Sequence, residues 1–189
     1  MRVAVYGGSF DPPHVAHALA VAYLLVTGRF ERVVVVPVFS HAFDKALAPF
    51  DDRVRMCELA LGFTPHAEVS RVEERLEPPS YTLHTVERLT REQPGWRLEL
   101  VVGSDVLGET HRWHQFSRLV ALAPLHVLGR QGFPHPDAPP AVLPEVSSTR
   151  VRALLAGPPS PEGDRELGAL VPAGVLDHVR ARGLYRCGS

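Results

Sequence analysis

The sequence contains no isoleucine and no asparagine, and Lys45 is its single lysine beside 19 arginines. Residues encoded by AT-rich codons are missing together, a mark of a GC-rich genome rather than of selection on the protein. A valine where isoleucine is usual therefore carries little meaning, and a surviving lysine somewhat more. Cysteine is scarce too. Cys57 and Cys187 have no CxxC spacing and build no disulfide framework, so both are expected as free thiols in a reducing compartment. No apolar run approaches the ~20 residues of a membrane span; the longest lies within Ala18 to Val26. The opening MRVAVYGG passes directly into a strand-like pattern, without the basic-then-apolar order of a secretory signal. These absences point to a cytoplasmic protein. An excess of one charge is also lacking, since 20 Lys plus Arg stand against 21 Asp plus Glu. That balance argues against nucleic acid or an anionic membrane as the main partner.

What is present suits one soluble domain. The chain has 189 residues, 45% of them hydrophobic and 22% charged, and a globule of this size buries roughly 70% of its unfolded surface. Apolar runs at 2–6, 32–36, 97–102 and 125–128 read as strands, with a weaker one at 67–72. Arg32 to Val36 (RVVVV) is apolar on both faces, as a central parallel strand should be. Helical patterns fill the intervals: 14–27, 51–61, a helix capped by Ser80 and running to about Arg91, and a short stretch from Trp113 to Leu122. A C-terminal helical portion spans about 147 to 186, with Pro-rich loops at 131–140 and 157–163. Strands alternating with helices predict a Rossmann-like α/β fold: a single doubly wound domain with a parallel sheet over residues 1–189. Ligands of such sheets bind at the carboxyl ends of the strands, so the loops after residues 6, 37, 102 and 128 are the ones to search.

The first of these loops reads Gly7-Gly8-Ser9-Phe10-Asp11-Pro12-Pro13-His14-Val15-Ala16-His17. Two glycines after a strand let the backbone turn tightly beside a phosphate, and the following helix start offers free N–H groups. The pattern is neither GxGxxG nor GxxxxGK[ST]. His14 and His17 lie three apart and share a helix face, which suits phosphate binding, metal ligation or buried packing. Asp11 could reach a metal through water or cap the helix at His14.

This segment resembles the G-G-[ST]-F-D-P-x-H-x-G-H signature of the adenine/cytidine nucleotidyltransferase superfamily. Pro79-Ser80-Tyr81-Thr82, Gly103-Ser104-Asp105, Trp113, Arg130, Ser147-Ser148-Thr149-Arg150-Val151-Arg152 and Gly183-Leu184-Tyr185 follow in the order of one branch, the bacterial nicotinate mononucleotide adenylyltransferases. The resemblance implies transfer of the adenylyl group of ATP to nicotinate mononucleotide, giving deamido-NAD and pyrophosphate. It implies His14, His17 and Arg152 as catalytic contacts to the triphosphate. Gly7, Gly8, Ser9, Phe10, Gly103, Asp105, Ser147, Ser148 and Thr149 would bind ATP, with Asp105 on the ribose. Lys45, Tyr81, Thr82, Leu83, Trp113, His114 and Arg130 would bind the acceptor. Trp113 would stack on the pyridine ring, although a half-buried core tryptophan fits the same pattern. Lys45 would face the acceptor phosphate or simply be a solvated loop charge. Mg²⁺ is expected to arrive with the nucleotide phosphates rather than in a cage of protein ligands.

Two positions depart from the pattern. Ala16 replaces the glycine of H-x-G-H, where the backbone approaches adenine, and predicts weakened ATP binding. Ser40-His41-Ala42-Phe43-Asp44-Lys45 places its basic residue differently from the family's Pro-His context. Rival readings are an adenylyltransferase for another acceptor, such as nicotinamide mononucleotide, and a nucleotide-binding regulator without turnover. A nucleic-acid module lacks a basic run, and a zinc hydrolase lacks a third ligand beside His14 and His17. Oligomeric state leaves no mark on this sequence.

Overall fold

Uninterrupted β-branched runs need apolar cover on both sides, and the chain provides it. The structure, a computed structural model, describes residues 1–40, 46–61 and 63–186. Strands β1 (Arg2–Gly8), β2 (Arg32–Pro37), β3 (Ala67–Val69), β4 (Arg97–Gly103), β5 (Leu125–Arg130) and β6 (Ala141–Leu143) form one sheet in the order β3-β2-β1-β4-β5-β6. Every neighbouring pair in it is parallel. This is the doubly wound, Rossmann-like arrangement, and the winding reverses between β1 and β4. Val5 of β1 sits in register with Val34 of β2 and Leu100 of β4.

Helices α1 (Val15–Val26), α2 (Phe50–Leu61), α3 (Thr82–Glu92), α4 (Phe116–Leu122), α5 (Ser148–Ala156), α6 (Pro161–Leu170) and α7 (Ala173–Arg182) surround the sheet. Side chains alternate along a strand, and the core divides accordingly. Ala4, Val33 and Val35 pack with Ala20, Val21 and Leu24 of α1, Met56 of α2 and Val175 of α7. Val3, Val5, Val34 and Val36 pack with Leu83, Val86 and Leu89 of α3. Burial on both faces explains why RVVVV shows no polar alternation. Among the described residues no helix is long and apolar enough to cross a membrane.

The C-terminal helices have the ends their sequences specify. Ser147 caps α5 by accepting from the Arg150 amide at 3.2 Å, and Ser160 caps α6 by accepting from the Gly163 amide at 3.0 Å. α7 ends on Gly183, whose φ of 65° is the left-handed cap that glycine adopts freely.

Several expected boundaries move. Tyr81, not Ser80, is the residue before α3; the Ser80 hydroxyl instead accepts from the Ser40 amide at 3.2 Å. The strand expected over 67–72 stops at Val69, and residues 72–75 form a helical turn that buries Val72 and Glu73. Residues 104–112 are 3-10 helical, so Trp113 follows a helical segment and α4 begins only at Phe116. α6 starts at Pro161, inside the stretch expected as a loop, because Pro is well suited to a first helical position. β6 is only three residues long, too short for alternation to register. It lies close because Gly129 has no side chain; a β-carbon there would collide with the carbonyl oxygens of Pro139 and Pro140. Cys57 is buried and free, with burial pushing its thiol pKa up; Cys187 lies outside the described residues.

Candidate active site

The carboxyl ends of β1 and β4 open into a cleft of about 630 Å³, an ordinary size for a small-molecule site. Gly7, Gly8 and Ser9 line one wall of it, and Gly103 and Asp105 the other. Phe10 follows with a φ of 47°, an uncommon backbone state for a non-glycine residue. Its ring lies beneath the loop, 3% exposed, against Gly8, where an added β-carbon would sit 3.2 Å from the ring. The Phe10 side chain therefore packs in the core, away from the cleft lining.

At the start of α1 the two imidazoles stack, with ring centroids 3.8 Å apart and planes at 29°. His17 Nδ1 accepts from the backbone N–H of His14 at 3.1 Å. That bond leaves the proton of a neutral His17 ring on Nε2. Burial lowers the pKa of His14 to about 4, helped by the Arg130 charge, and lowers that of His17 well below its usual value, with His14 and Arg130 adding to the effect. Both rings are therefore neutral at physiological pH, and His14 Nδ1 is buried without a hydrogen-bond partner among the described residues. Neutral N–H donors can serve anions without carrying a competing charge. Asp11 does not cap this helix. Its Oδ1 accepts from the Ala48 amide at 3.0 Å and from the Tyr185 hydroxyl at 2.8 Å.

Across the cleft, Arg130 at the end of β5 donates to Asp105 Oδ2 at 2.5 Å and to the carbonyl of Val146. Arg130 lines the cleft together with both histidines, and its charge lowers both of their pKa values. Gly103 makes this possible, since a β-carbon there would collide with Asp105 Oδ1.

α5 docks beside the loop. Ser148 donates its hydroxyl to the Pro12 carbonyl at 2.9 Å, and Arg152 donates to the Asp11 carbonyl at 2.6 Å and to Thr149 Oγ1 at 3.3 Å. Thr149 is exposed, and Ser147 is occupied as the helix cap. None of these four residues lines the cleft, and Ser148 and Arg152 border the loop. Arg150 is instead paired with Glu166 of α6 through two 2.8 Å contacts.

The far end of the cleft brings together Tyr81, Thr82, Leu83, Trp113 and His114. α3 leaves the amides of Thr82 and Leu83 without intrahelical partners, while those of His84 and Thr85 reach the Tyr81 carbonyl at 2.9 and 3.3 Å. Leu83 turns its side chain into the core, 1% exposed. Trp113 is half-buried beside Phe116 and lines the cleft, so it is at once a packing residue and an available ring. His114 stacks on Tyr81 at 4.5 Å. Lys45 lies outside the described residues.

Among the buried polar residues, Arg53 and Glu73 were not anticipated. Arg53 is 1% exposed and donates to the carbonyls of Ala48 and Ser9 at 2.9 and 3.0 Å, tying α2 to the glycine loop. The sequence does carry a signal for it: residues 53, 56, 57, 60 and 61 form the apolar stripe of α2, and an arginine stands at its head. Glu73 lines the cleft from the helical turn after β3.

Residues 5–154 match the cytidylyltransferase-like family model. The chain is 43% identical to a probable nicotinate-nucleotide adenylyltransferase of Anaeromyxobacter dehalogenans, covering 98% of this chain and 97% of that one. The chain belongs to the nicotinate-nucleotide adenylyltransferase family. A member from Myxococcus xanthus, also named as probable, is 36% identical over 98% of this chain and 95% of its own. The fold extends further than the sequence likeness. Nicotinic acid mononucleotide adenylyltransferase of Plasmodium falciparum, solved in complex with NaAD, superposes with a TM-score of 0.83 at 18% identity, covering 97% of each chain.

Proposed function

We propose that the protein is a nicotinate-nucleotide adenylyltransferase, using ATP to convert nicotinate mononucleotide into deamido-NAD and pyrophosphate. The observation that carries this reading is the continuity of one cleft from the His14–His17 pair to Trp113 and the start of α3. Such a cleft offers phosphate donors at one end and an aromatic face with free amides at the other. The names of the relatives support the same reading.

In this reading an oxygen of the acceptor's 5′-phosphate bonds to the α-phosphorus of ATP while the bond from that phosphorus to the β-phosphate oxygen breaks. Pyrophosphate leaves with the electron pair, and no covalent intermediate on the protein is required. The protein's work is alignment and charge stabilisation. His17 and His14 donate N–H groups to the triphosphate, and Arg152, Ser148 and Thr149 face its outer phosphates. Amides of Gly8, Ser9 and Phe10 approach the nucleotide. Asp105 accepts from ribose hydroxyls, with Oδ1 free for this while Oδ2 stays with Arg130. At the other end Trp113 stacks on the pyridine ring, and the amides of Thr82, Leu83 and His114 receive the nicotinate carboxylate. Tyr81, stacked with His114, frames that pocket, and Lys45 is assigned to the acceptor phosphate.

Among the described residues no group of three or more His, Cys, Asp or Glu could hold a metal ion. The donors at the cleft suit phosphate oxygens instead, which fits Mg²⁺ entering as part of the ATP complex with its waters retained. Bound there, it would offset the charge of the transferring phosphates. Incubation with ATP, Mg²⁺ and nicotinate mononucleotide should yield deamido-NAD and pyrophosphate in equal amounts; ATP consumption without deamido-NAD would refute the assignment.

A further inference from the structure

Glu73 is a carboxylate inside the acceptor half of the cleft, 6% exposed, and the reaction as derived gives it no task. Taking a carboxylate out of water is costly unless hydrogen bonds replace the lost hydration. Here two donors do so, and they come from different walls. Oε2 accepts from the Phe39 amide at 2.9 Å, just after β2, where the chain enters the segment that carries Lys45. Oε1 accepts from the Thr85 hydroxyl at 2.9 Å, one turn into α3. Thr85 is itself 2% exposed, so its side chain has no solvent to turn to. A second link runs in parallel, with Ser40 and Ser80 joined through the Ser80 amide to the Ser40 carbonyl at 3.0 Å and the Ser40 amide to the Ser80 hydroxyl at 3.2 Å.

We infer that Glu73 is a positioning residue for the acceptor, bracing the β2 exit against the first turn of α3 so that both meet one ligand in fixed register. The inference rests on the nicotinate mononucleotide reading of this cleft. Its physical basis is the arrangement of the two bonds. Hydrogen bonds to a carboxylate are strong and directional, and each of these ends on an element that lines the cleft: α3 through Thr82 and Leu83, the β2 exit through Val38. The carboxylate sits between them in the short helical turn after β3. Neither bond ends on the histidine pair, so the effect falls mainly on the acceptor.

Three variants separate bracing from mere folding and from charge. Glu73→Ala removes both bonds. Thr85→Val removes the α3 bond alone. Glu73→Gln discards the charge yet keeps both contacts, its amide oxygen accepting from Phe39 and its NH₂ donating to Thr85. Steady-state KM values for nicotinate mononucleotide and for ATP are measured with the intact chain, together with kcat and Tm. We expect Glu73→Ala to raise the acceptor KM about tenfold, the scale of a lost buried hydrogen bond, with the ATP KM unchanged. Thr85→Val should raise the acceptor KM by a smaller factor, and Glu73→Gln should recover most of the loss. Should Glu73→Ala fail to fold, the Thr85→Val and Glu73→Gln values decide. An acceptor KM unmoved in Thr85→Val, equal rises in both KM values, or a Glu73→Gln as impaired as Glu73→Ala would each overturn the inference. Absence of wild-type turnover with nicotinate mononucleotide would overturn the functional reading and this inference with it, whereas wild-type turnover with an unmoved acceptor KM in the variants overturns the inference alone.

Discussion

His17 Nδ1 accepts the backbone N–H of His14 at 3.1 Å while the two rings stack at 3.8 Å. One bond thus fixes the tautomer of the deeper ring, the start of α1 and the orientation of the pair. Two cations could not stack so closely in a buried setting, and burial keeps both rings neutral.

A pH dependence of stability follows. The pKa of His14 in the folded protein, about 4, lies below the ordinary 6.5, and His17 is shifted in the same direction. As pH falls from 6.5 toward 4, the unfolded chain takes up protons that the folded chain refuses, so stability drops through that window. Thermal melts of wild type and His14→Asn from pH 7 to 5 check it. The wild type should lose more Tm over this range than the variant; parallel losses would contradict the argument.

Gly103→Ala should damage ATP recognition without touching the acceptor. A β-carbon at this position meets Asp105 Oδ1, so the carboxylate must swing away from Arg130. Loss of a charged hydrogen-bond partner for ribose predicts an ATP KM raised about tenfold or more. An ATP KM within twofold of wild type, as kinetics would reveal, places Asp105 outside ATP binding.

Ala16 lines the cleft on the face of α1 beside His17 and is 5% exposed. If its methyl crowds adenine, Ala16→Gly should lower the ATP KM while costing up to about 1 kcal/mol of helix stability. An unchanged or higher KM dismisses the crowding.

Trp113→Ala should raise the KM for the acceptor by a factor of about 10 to 100, the scale of a stacking contact on a base-like ring, and leave the ATP KM alone. Because Trp113 also packs against Phe116 and the core, Trp113→Phe is the companion variant. It should recover part of the acceptor affinity. Equal effects of Trp113→Ala on both substrates would mark the tryptophan as packing only.

The parallel sheet was legible because RVVVV, RVAVY and RLELVV are long enough to display burial on both faces, and the glycine loop because its residue types have few other uses. β6 and the helical turn at Glu73 escaped because three or four residues carry no periodicity. Arg53 and Glu73 escaped for another reason: an isolated charge reads as solvent-facing until its partners are known, and those partners are backbone groups of Ser9, Ala48 and Phe39 and the Thr85 hydroxyl, which composition cannot name. The pairing of Arg130 with Asp105 was not legible, because it comes from β4 and β5 being neighbours, a property of topology.

The central claim is that one cleft joins ATP to an acceptor recognised by a carboxylate on a pyridine ring. Pyrophosphate release with ATP and Mg²⁺, measured in parallel with nicotinate mononucleotide and nicotinamide mononucleotide, tests it most directly. A strong preference in kcat/KM for the nicotinate form is expected. Equal use of both, or turnover with the nicotinamide form alone, would contradict it.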